Sequence, residues 1–335
     1  MSENKKFRVS VSPHVRNSIT TNKIMLYVIL ALMPATIFGI VNFGLHALLI
    51  VLLSICSAVA AEYLYERILK KDNTIGDLSA VVTGLLIGLN MPPEINWWIP
   101  VLGSVFAIVV VKQIYGGLGQ NFMNPALGAR CFLLISFSGQ MTSYAAKGGF
   151  THLVTEVAGT TDALSGATPL AYLKQGVDFD LGALFFGNVE GVIGETSALC
   201  LLIGGLFLLV MKIIDWKIPV LYLGSFAVLT CITAAIKGYA NPLYFTLEEL
   251  CAGGIMLGAW FMATDYVTSP ITQKGRIIYA LFLGVMTWLF RMVGNGSEGV
   301  SYSIIFANCL VPMIEHYTKP SAFGIPKEKK EAKKA

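Results

Sequence analysis

Long apolar runs, separated by short polar stretches, constrain the fold of this chain more than any other feature. Of its 335 residues, 55% are hydrophobic and 13% are charged, whereas an ordinary soluble domain is about 25% charged. Several runs approach the roughly 20 residues that a helix needs to cross a hydrocarbon core of about 30 Å. Only helices and closed barrels satisfy their backbone inside a bilayer, and the runs lack the alternation of barrel strands. The sequence therefore predicts an all-α, polytopic integral membrane protein.

Ten apolar segments are predicted to be transmembrane helices. Because this number is even, both chain termini are expected on the same side of the membrane. No apolar segment precedes residue 24, so a cleavable signal peptide is not expected. The segments are 24–43, 45–65, 78–90, 97–115, 121–138, 196–213, 218–236, 247–263, 277–292 and 302–317.

Lysine and arginine are distributed unequally between the two sides of this arrangement. If the N-terminus is cytoplasmic, 20 of the 24 basic residues fall on the cytoplasmic side, including Lys112 and Arg130 beside the fourth and fifth segments. Positive charge is enriched in cytoplasmic loops, so cytoplasmic termini are predicted, with the long connection 139–195 outside. The basic residues are scattered, which argues against nucleic-acid binding. The four exceptions on the outer side are Lys147, Lys174, Lys237 and Arg291.

The long connection divides the chain into two halves that resemble each other. Each half has a short third segment with a G-x-x-x-G spacing, at Gly84/Gly88 and at Gly254/Gly258, followed by an abrupt break. Such segments at corresponding positions are typical of broken helices around a central site, with close helix packing as the alternative. Since five spans per half is an odd number, we predict two inverted five-helix repeats with short, broken third helices. The predicted divisions are a cytoplasmic N-terminal segment 1–23, a first repeat 24–138, an extracytoplasmic loop 139–195, a second repeat 196–317 and a basic cytoplasmic tail 318–335.

The long connection contains the short motif DALSGATPL, which begins at Asp162. Pro169 disfavours the helical region for the residue before it, so the hydroxyl of Thr168 is expected to be presented in an extended segment. By itself the motif is also a good surface turn. The motif alone therefore does not identify a function, and a resemblance to a known family is needed to interpret it.

The pattern Asp-x-x-Ser-Gly-Ala-Thr-x-Leu resembles the flavinylation motif of RnfD, the D subunit of the Rnf ion-translocating electron-transport complex. A similar motif marks NqrB, the B subunit of the sodium-pumping NADH:quinone oxidoreductase. Three other stretches resemble RnfD: SPHVR at 12–16, KQIYGGLGQNFMNPALGARCF at 112–132 and FMATDYVTSP at 261–270. Tyr266 departs from the family pattern, in which proline usually follows the aspartate. The N-terminal segment is shorter than that of the quinone reductase protein, which favours Rnf.

The resemblance implies that Thr168 is esterified through the phosphate of FMN by a dedicated flavin transferase. The transferase would recognise the rest of the motif, namely Asp162, Ser165, Gly166 and Ala167. It also implies a bacterial inner-membrane complex that passes electrons between ferredoxin and NAD and moves sodium ions or protons. The expected partners are membrane lipid and Rnf subunits of the A, B, C, E and G types, above all the second subunit with covalent flavin. The chain has no nicotinamide fingerprint or Fe–S cysteine run, so partner chains must supply those functions.

The glycine-rich stretch YGGLGQNFMNPALG is weak evidence for a phosphate loop, since no strand precedes it. We expect its glycines to form a tight turn and Pro125 to kink the fifth span. The resemblance implies that Gly117, Asn124, Thr264 and Asp265 help to hold a second, non-covalent flavin, either riboflavin or FMN, or line the ion path. Asp265 has an equally simple interpretation as a cap of the following turn.

The other ionisable residues favour structural roles. Glu62 and Glu66 share one helix face and are expected to pair with Arg67 or with lysines at the membrane interface. The spacing of the histidines suggests no metal site, and the six cysteines lie in apolar segments as small buried hydrophobes. No residue is assigned a catalytic role.

Two alternatives remain open. One is the quinone-reducing relative, and the other is a channel or secondary transporter for a small solute, because two five-helix repeats with broken helices suit such a protein and a fold does not determine function. The sequence does not distinguish sodium from protons, and it gives neither the ion path nor the order of electron transfer.

Overall fold

The computed structural model describes residues 20–144, 169–174, 179–294 and 299–320, and the regular structure in these ranges is helical. A short 3-10 turn, Ile75–Asp77, precedes the third helix. The fourth helix continues without a break into a π-helix, Phe106–Gln113. The helices before the long connection are α1 Thr21–Phe43, α2 Leu45–Ile68, α3 Ser79–Leu89, α4 Trp98–Val105, α5 Pro125–Ser136 and the single turn α6 Ser138–Met141.

The second half also contains five helical segments that coincide with predicted spans. It is preceded by two short helices in the long connection. Its third helix is bent, and the part after the bend continues as a π-helix, Gly258–Met262. These helices are α7 Pro169–Lys174, α8 Leu181–Phe186, α9 Ala198–Val210, α10 Lys217–Lys237, α11 Pro242–Cys251, α12 Ile255–Leu257, α13 Gln273–Met292 and α14 Val300–Thr318.

The lengths of the helices separate full spans from partial ones. In the described part of the chain, α1, α2, α10 and α13 are long and apolar enough to cross a membrane, and α11 with α12 and its π-helix forms a fifth candidate bent by 68°. Four other apolar helices have 10–17 residues. An α-helix rises 1.5 Å per residue, so α3 is about 17 Å long and does not cross a hydrocarbon core of about 30 Å by itself. The chain is a polytopic helical membrane protein, and each predicted segment coincides with a helix or a bent helix pair.

The bend in the second half lies at residues 252–254, between α11 and α12. The sequence predicted an abrupt break after the Gly254/Gly258 stretch. The second π-helix ends at Met262, after this stretch, as predicted, and the bend at 252–254 is an additional break that the sequence did not predict. In the first half, the helical stretch ends after Leu89, as the sequence predicted.

The glycines of the first G-x-x-x-G bring α3 against α2. A Cβ at Gly84 would lie 2.7 Å from Ile55 Cα and from Ser54 O, and one at Gly88 would lie 2.9 Å from Val51 Cα. These neighbours are backbone atoms and do not move aside easily. Close packing, the alternative interpretation of this spacing, is therefore present in the first half.

We predict that Gly84→Ala destabilises the protein by about 1–3 kcal/mol, because an added methyl group overpacks the contact between α2 and α3. The measurement is the midpoint of thermal unfolding of the full chain in detergent. Gly224→Ala is the matched control: Gly224 lies inside α10, and a Cβ there meets nothing within 4 Å. This control is expected to leave stability unchanged or to raise it by up to about 1 kcal/mol. Equal midpoints for the two variants would contradict the packing described above.

Candidate functional site

A cavity that is open at one mouth lies between the two halves of the chain. Side chains from α1, α3 and the segment before α5 form one part of the wall, and residues that follow the second π-helix form another. Three of the four residues that the sequence suggested for a second site line this cavity. They are Asn124, Thr264 and Asp265.

Asn124 connects the two halves at the cavity. Its Oδ1 accepts hydrogen bonds from Ala126 N at 3.0 Å and Leu127 N at 3.4 Å, which caps the start of α5. Its Nδ2 donates to Met262 O at 3.3 Å, at the end of the second π-helix. Pro125 is the first residue of α5, where its missing N–H costs no helical hydrogen bond. The prediction that Pro125 kinks the fifth span is therefore wrong, since it begins the helix.

The glycine-rich turn has the conformation that its composition predicted. Gly116, Gly117 and Gly119 have φ values of 120°, 93° and 92°, in the left-handed region that glycine adopts without strain. Gly117 N donates to Lys112 O at 3.1 Å. The next residue, Leu118, lines the cavity. Gly117 thus shapes the turn that brings the neighbouring side chain to the site.

Asp265 fits both interpretations that the sequence left open. Its carboxylate accepts hydrogen bonds from Val267 N at 3.4 Å and from Thr268 Oγ1 at 3.2 Å, so it caps the turn that follows. It also lines the cavity together with Thr264, whose hydroxyl donates to Trp260 O at 2.8 Å. The cap fixes the carboxylate at the cavity wall.

Both π-helices end at the cavity. Ile114 N donates to Val109 O at 3.0 Å and Ala263 N donates to Gly258 O at 2.8 Å, each across five residues. The π-helix is rare and occurs frequently at functional sites. The sequence analysis did not predict these segments, because a π-turn has no residue pattern of its own in an apolar helix.

A buried ion pair forms the wall beside α3. Lys112 Nζ donates to Glu62 Oε1 and to Ser79 Oγ, each at 2.6 Å, and Gln113 Nε2 donates to Glu62 Oε1 at 2.7 Å. Lys112 is 2% exposed and Glu62 is fully buried. Lys112 is therefore buried inside the protein. It should not be counted among the basic residues that lie at the cytoplasmic surface. The structural role expected for Glu62 is confirmed, with Lys112 as its partner in place of Arg67.

Two other basic residues from the charge count are also buried. Arg130 pairs with Glu195 at 2.5 Å, and Arg291 pairs with Glu249 at 3.2 Å. Arg130 is 4% exposed and Arg291 is 2% exposed. Since the positive-inside rule concerns loops, these arginines and Lys112 carry no information about sidedness. The remaining excess of lysine and arginine on the predicted cytoplasmic side comes from the chain ends and the loops.

The loop before α10 forms a further part of the cavity wall through Ile213 and Ile214. Tyr266, the residue that departs from the family pattern, donates from its hydroxyl to Ile213 O. Arg276 Nη1 pairs with Asp215 Oδ2 at 2.9 Å. Burial raises the pKa of Asp215, but hydrogen bonds from Arg276 and from the N–H of Lys217 outweigh burial, so the pKa lies below its usual value.

The proposed flavinylation motif, comprising Asp162, Ser165, Gly166, Ala167 and Thr168, lies outside the described residues. The structure describes the next residue, Pro169, as the start of α7. Leu170 and Leu173 of α7 are each 1% exposed and pack in a small apolar cluster with Ala252. A Cβ placed on Gly253 would lie 3.6 Å from Leu170 Cδ2 and 3.1 Å from Arg291 Nη2. The chain just after the motif is thus anchored at the bend between α11 and α12.

Partial and bent helices around a cavity, which has a mainly apolar lining and a few polar side chains, define this chain as a polytopic helical membrane protein. A model of the NQR2, RnfD, RnfE family matches residues 8–324. The chain belongs to this family, and its resemblance to the RnfD protein of the Rnf complex is confirmed.

Several curated proteins are similar over nearly their whole length. The D subunit of a Na⁺-translocating ferredoxin:NAD⁺ oxidoreductase complex from Acetobacterium woodii is 47% identical over 330 residues, covering 97% of this chain and 98% of the relative. The D subunit of a proton-translocating ferredoxin:NAD⁺ oxidoreductase complex from Clostridium ljungdahlii is 41% identical, with 95% and 96% covered. The D subunit of an ion-translocating oxidoreductase complex from Stutzerimonas stutzeri is also 41% identical, with 92% and 93% covered.

We predict that Asp215→Asn lowers stability by about 0.5–1 kcal/mol at pH 7, because the ion pair with Arg276 is partly exposed. The native pKa of Asp215 is depressed, so its contribution is present in full above the unfolded pKa of about 3.9 and is lost as the pH falls through the native pKa. The measurement is the difference in unfolding midpoint between wild type and variant at neutral and acidic pH. The exposed Asp72→Asn serves as the control with the same change in charge. A difference for Asp215→Asn that grows on acidification would contradict this assignment.

Proposed function

We propose that the chain is the D subunit of a bacterial, membrane-bound, ion-translocating ferredoxin:NAD⁺ oxidoreductase complex and carries FMN covalently on Thr168. The observation that supports this most strongly is the flavinylation motif, in a chain 47% and 41% identical to the D subunits of two such complexes. Its partners are the other subunits of the complex, of the A, B, C, E and G types, together with the flavin transferase. The ion stays open, because one relative is named for Na⁺ and the other for protons.

The bound FMN would supply electron transfer, and the chain would fix where that transfer takes place. Thr168 offers the hydroxyl for the phosphoester bond. Leu170 and Leu173, buried against the residues around the bend, support a firm attachment for the segment that follows Thr168. An anchored tether holds a carrier in one place in a chain of carriers and prevents its loss to the outside medium.

The halves of the chain are proposed to be inverted repeats, with cytoplasmic termini and an extracytoplasmic loop 139–195. Direct contacts of α1 with α9 and of α5 with α14, the helices at corresponding positions, support this arrangement.

The cavity between the halves is proposed to hold a second, non-covalent flavin, riboflavin or FMN. Small-molecule sites are lined mainly by apolar groups, with a few polar groups that fix the orientation of the ligand. Its lining also fits a flavin, which has an apolar ring edge and a polar edge. Apolar groups come from α1 and the loop before α10, whereas Asn121, Asn124 and Thr264 provide polar side chains. A role for the same wall in ion passage is compatible with this proposal.

We predict that Thr168→Val abolishes covalent flavin, because the side chain loses the nucleophilic hydroxyl while keeping its size. The measurement is the flavin fluorescence of the denatured chain in a gel, with mass spectrometry of the peptide that contains residue 168. Thr161→Val, in the same segment, is the matched control and is expected to retain the fluorescence. Wild-type protein purified from a host with the flavin transferase and yet lacking a flavin-modified peptide would refute the covalent assignment.

For the second flavin, we predict that Thr83→Phe lowers the flavin released on denaturation at least tenfold and leaves covalent FMN unchanged. Thr83 lines the cavity and its hydroxyl donates only within α3, to Ser79 O at 2.9 Å, so the principal effect is loss of space. Precipitation of the denatured chain removes the covalent FMN with it, and the flavin left in solution is identified by chromatography. Gly224→Ala, on a surface away from the cavity, is the control. An unchanged amount of released flavin in folded Thr83→Phe would place the second flavin elsewhere or exclude it.

A further inference from the structure

The most unusual group in the cavity wall is a buried lysine. Lys112 lies near the end of the first π-helix and is 2% exposed. Transferring an ammonium group out of water is expensive unless the group is paired and hydrogen-bonded. Glu62 neutralises the charge, and Glu62 and Ser79 accept two of its hydrogen bonds, each at 2.6 Å. Two other elements, α2 and the start of α3, therefore hold one cation at this place.

The ammonium retains capacity to bind. A lysine has three N–H donors, and two partners of Lys112 Nζ are found among the residues that the structure describes. Both Lys112 and Ser79 line the cavity. Since Nζ donates a hydrogen bond to Ser79, a residue of the lining, the ammonium group lies at the cavity wall. One of its three N–H groups remains available for a ligand.

Lys112 also gives the cavity its electrostatic character. It is the one cation among the described residues that line the cavity, whereas Asp265 lies in the lining contributed by the other half. The remaining polar lining consists of neutral amides and hydroxyls. A ligand with an electronegative edge would thus find one charged donor, and the fixed contacts of that donor would orient the ligand in the cavity.

We propose that Lys112 binds the electronegative pyrimidine edge of a flavin in this cavity, with Glu62 and Ser79 as positioning residues that fix its ammonium group. The inference rests on the second flavin proposed above and adds the residue that orients it. A hydrogen bond from a charged donor strengthens binding roughly 10- to 100-fold. The positive charge also favours the reduced flavin, which carries more electron density on that edge than the oxidised flavin does.

The test uses a double variant, because Lys112→Met alone leaves the carboxylate of Glu62 buried without its cation and can prevent folding. Glu62→Gln/Lys112→Met removes both charges, and Gln113 can still donate to the amide oxygen at position 62. The full chain is purified in detergent, stripped of non-covalent flavin and titrated with riboflavin and with FMN. The reduction potential of the rebound flavin is measured by spectroelectrochemistry. Size-exclusion profile and covalent FMN content report on folding.

We expect the double variant to bind riboflavin roughly 10- to 100-fold more weakly than wild type, with a reduction potential shifted to more negative values. Lys274→Met is the matched control. It removes an exposed lysine at the start of α13, outside the cavity lining, and is expected to change neither quantity. Ser79→Ala removes one of the two contacts that fix the ammonium and is expected to give a smaller change in the same direction.

Two failures are distinguishable. If wild type binds riboflavin and FMN no better than the cavity-filling variant Thr83→Phe does, the second flavin itself is refuted. If wild type binds flavin and the folded double variant binds it with the same affinity and potential, the role of Lys112 is refuted and the second flavin stands. Because the double variant removes a positive and a negative charge together, affinity is the deciding measurement, and an unchanged affinity overturns the proposal whatever the potential.

Discussion

The structure depends on satisfying polar groups where helices stop inside the membrane. In hydrocarbon, a backbone carbonyl or a charge without a partner costs several kcal/mol. At the bend between α11 and α12, Arg291 Nη1 donates to Glu249 O at 2.6 Å and Nη2 donates to Ala252 O at 3.0 Å. The carboxylate of Glu249 balances the charge. A buried arginine thus replaces two of the helical N–H donors that the bend removes, which stabilises the bent helix.

The end of α3 is satisfied in a different way. Gly194 N donates to Leu89 O at 2.8 Å and Ile193 N donates to Met91 O at 3.1 Å, so the backbone before α9 caps a helix of the other half. Arg130 donates from Nη1 to Asn90 and to Glu195 at the same place. Each partial helix therefore ends on atoms of another element. The bend in the second half is satisfied from within its own half, by Arg291, whereas the end of α3 is satisfied by the backbone that precedes α9.

The apolar runs predicted the positions of the helices because the length and composition of a membrane span are local properties of the sequence. The partners of the buried charges were not predictable in this way. Glu62 and Lys112 are 50 residues apart, and Arg130 and Glu195 are 65 residues apart. Pro125 was interpreted as a kink because proline breaks a helix interior; only the position of the Asn124 cap identifies it as a first residue. The segments around Asn124 and Asp265 were grouped by resemblance alone, and the structure brings them to one cavity. Thr168 and its motif stay a prediction.

The burial of the Lys112–Glu62 pair determines how strongly the cavity responds to charge. Mobile salt ions weaken interactions between exposed groups over about 8–10 Å at physiological ionic strength, but they act much less on buried pairs. Water is largely excluded from this wall as well, so the local dielectric response is weak and Coulomb interactions extend further than at the surface. A unit of charge that arrives in the cavity therefore acts on Lys112, Glu62 and Asp265 almost unscreened. The ionic composition of the medium is correspondingly a poor means of tuning this site, and substitutions in its wall are an effective one.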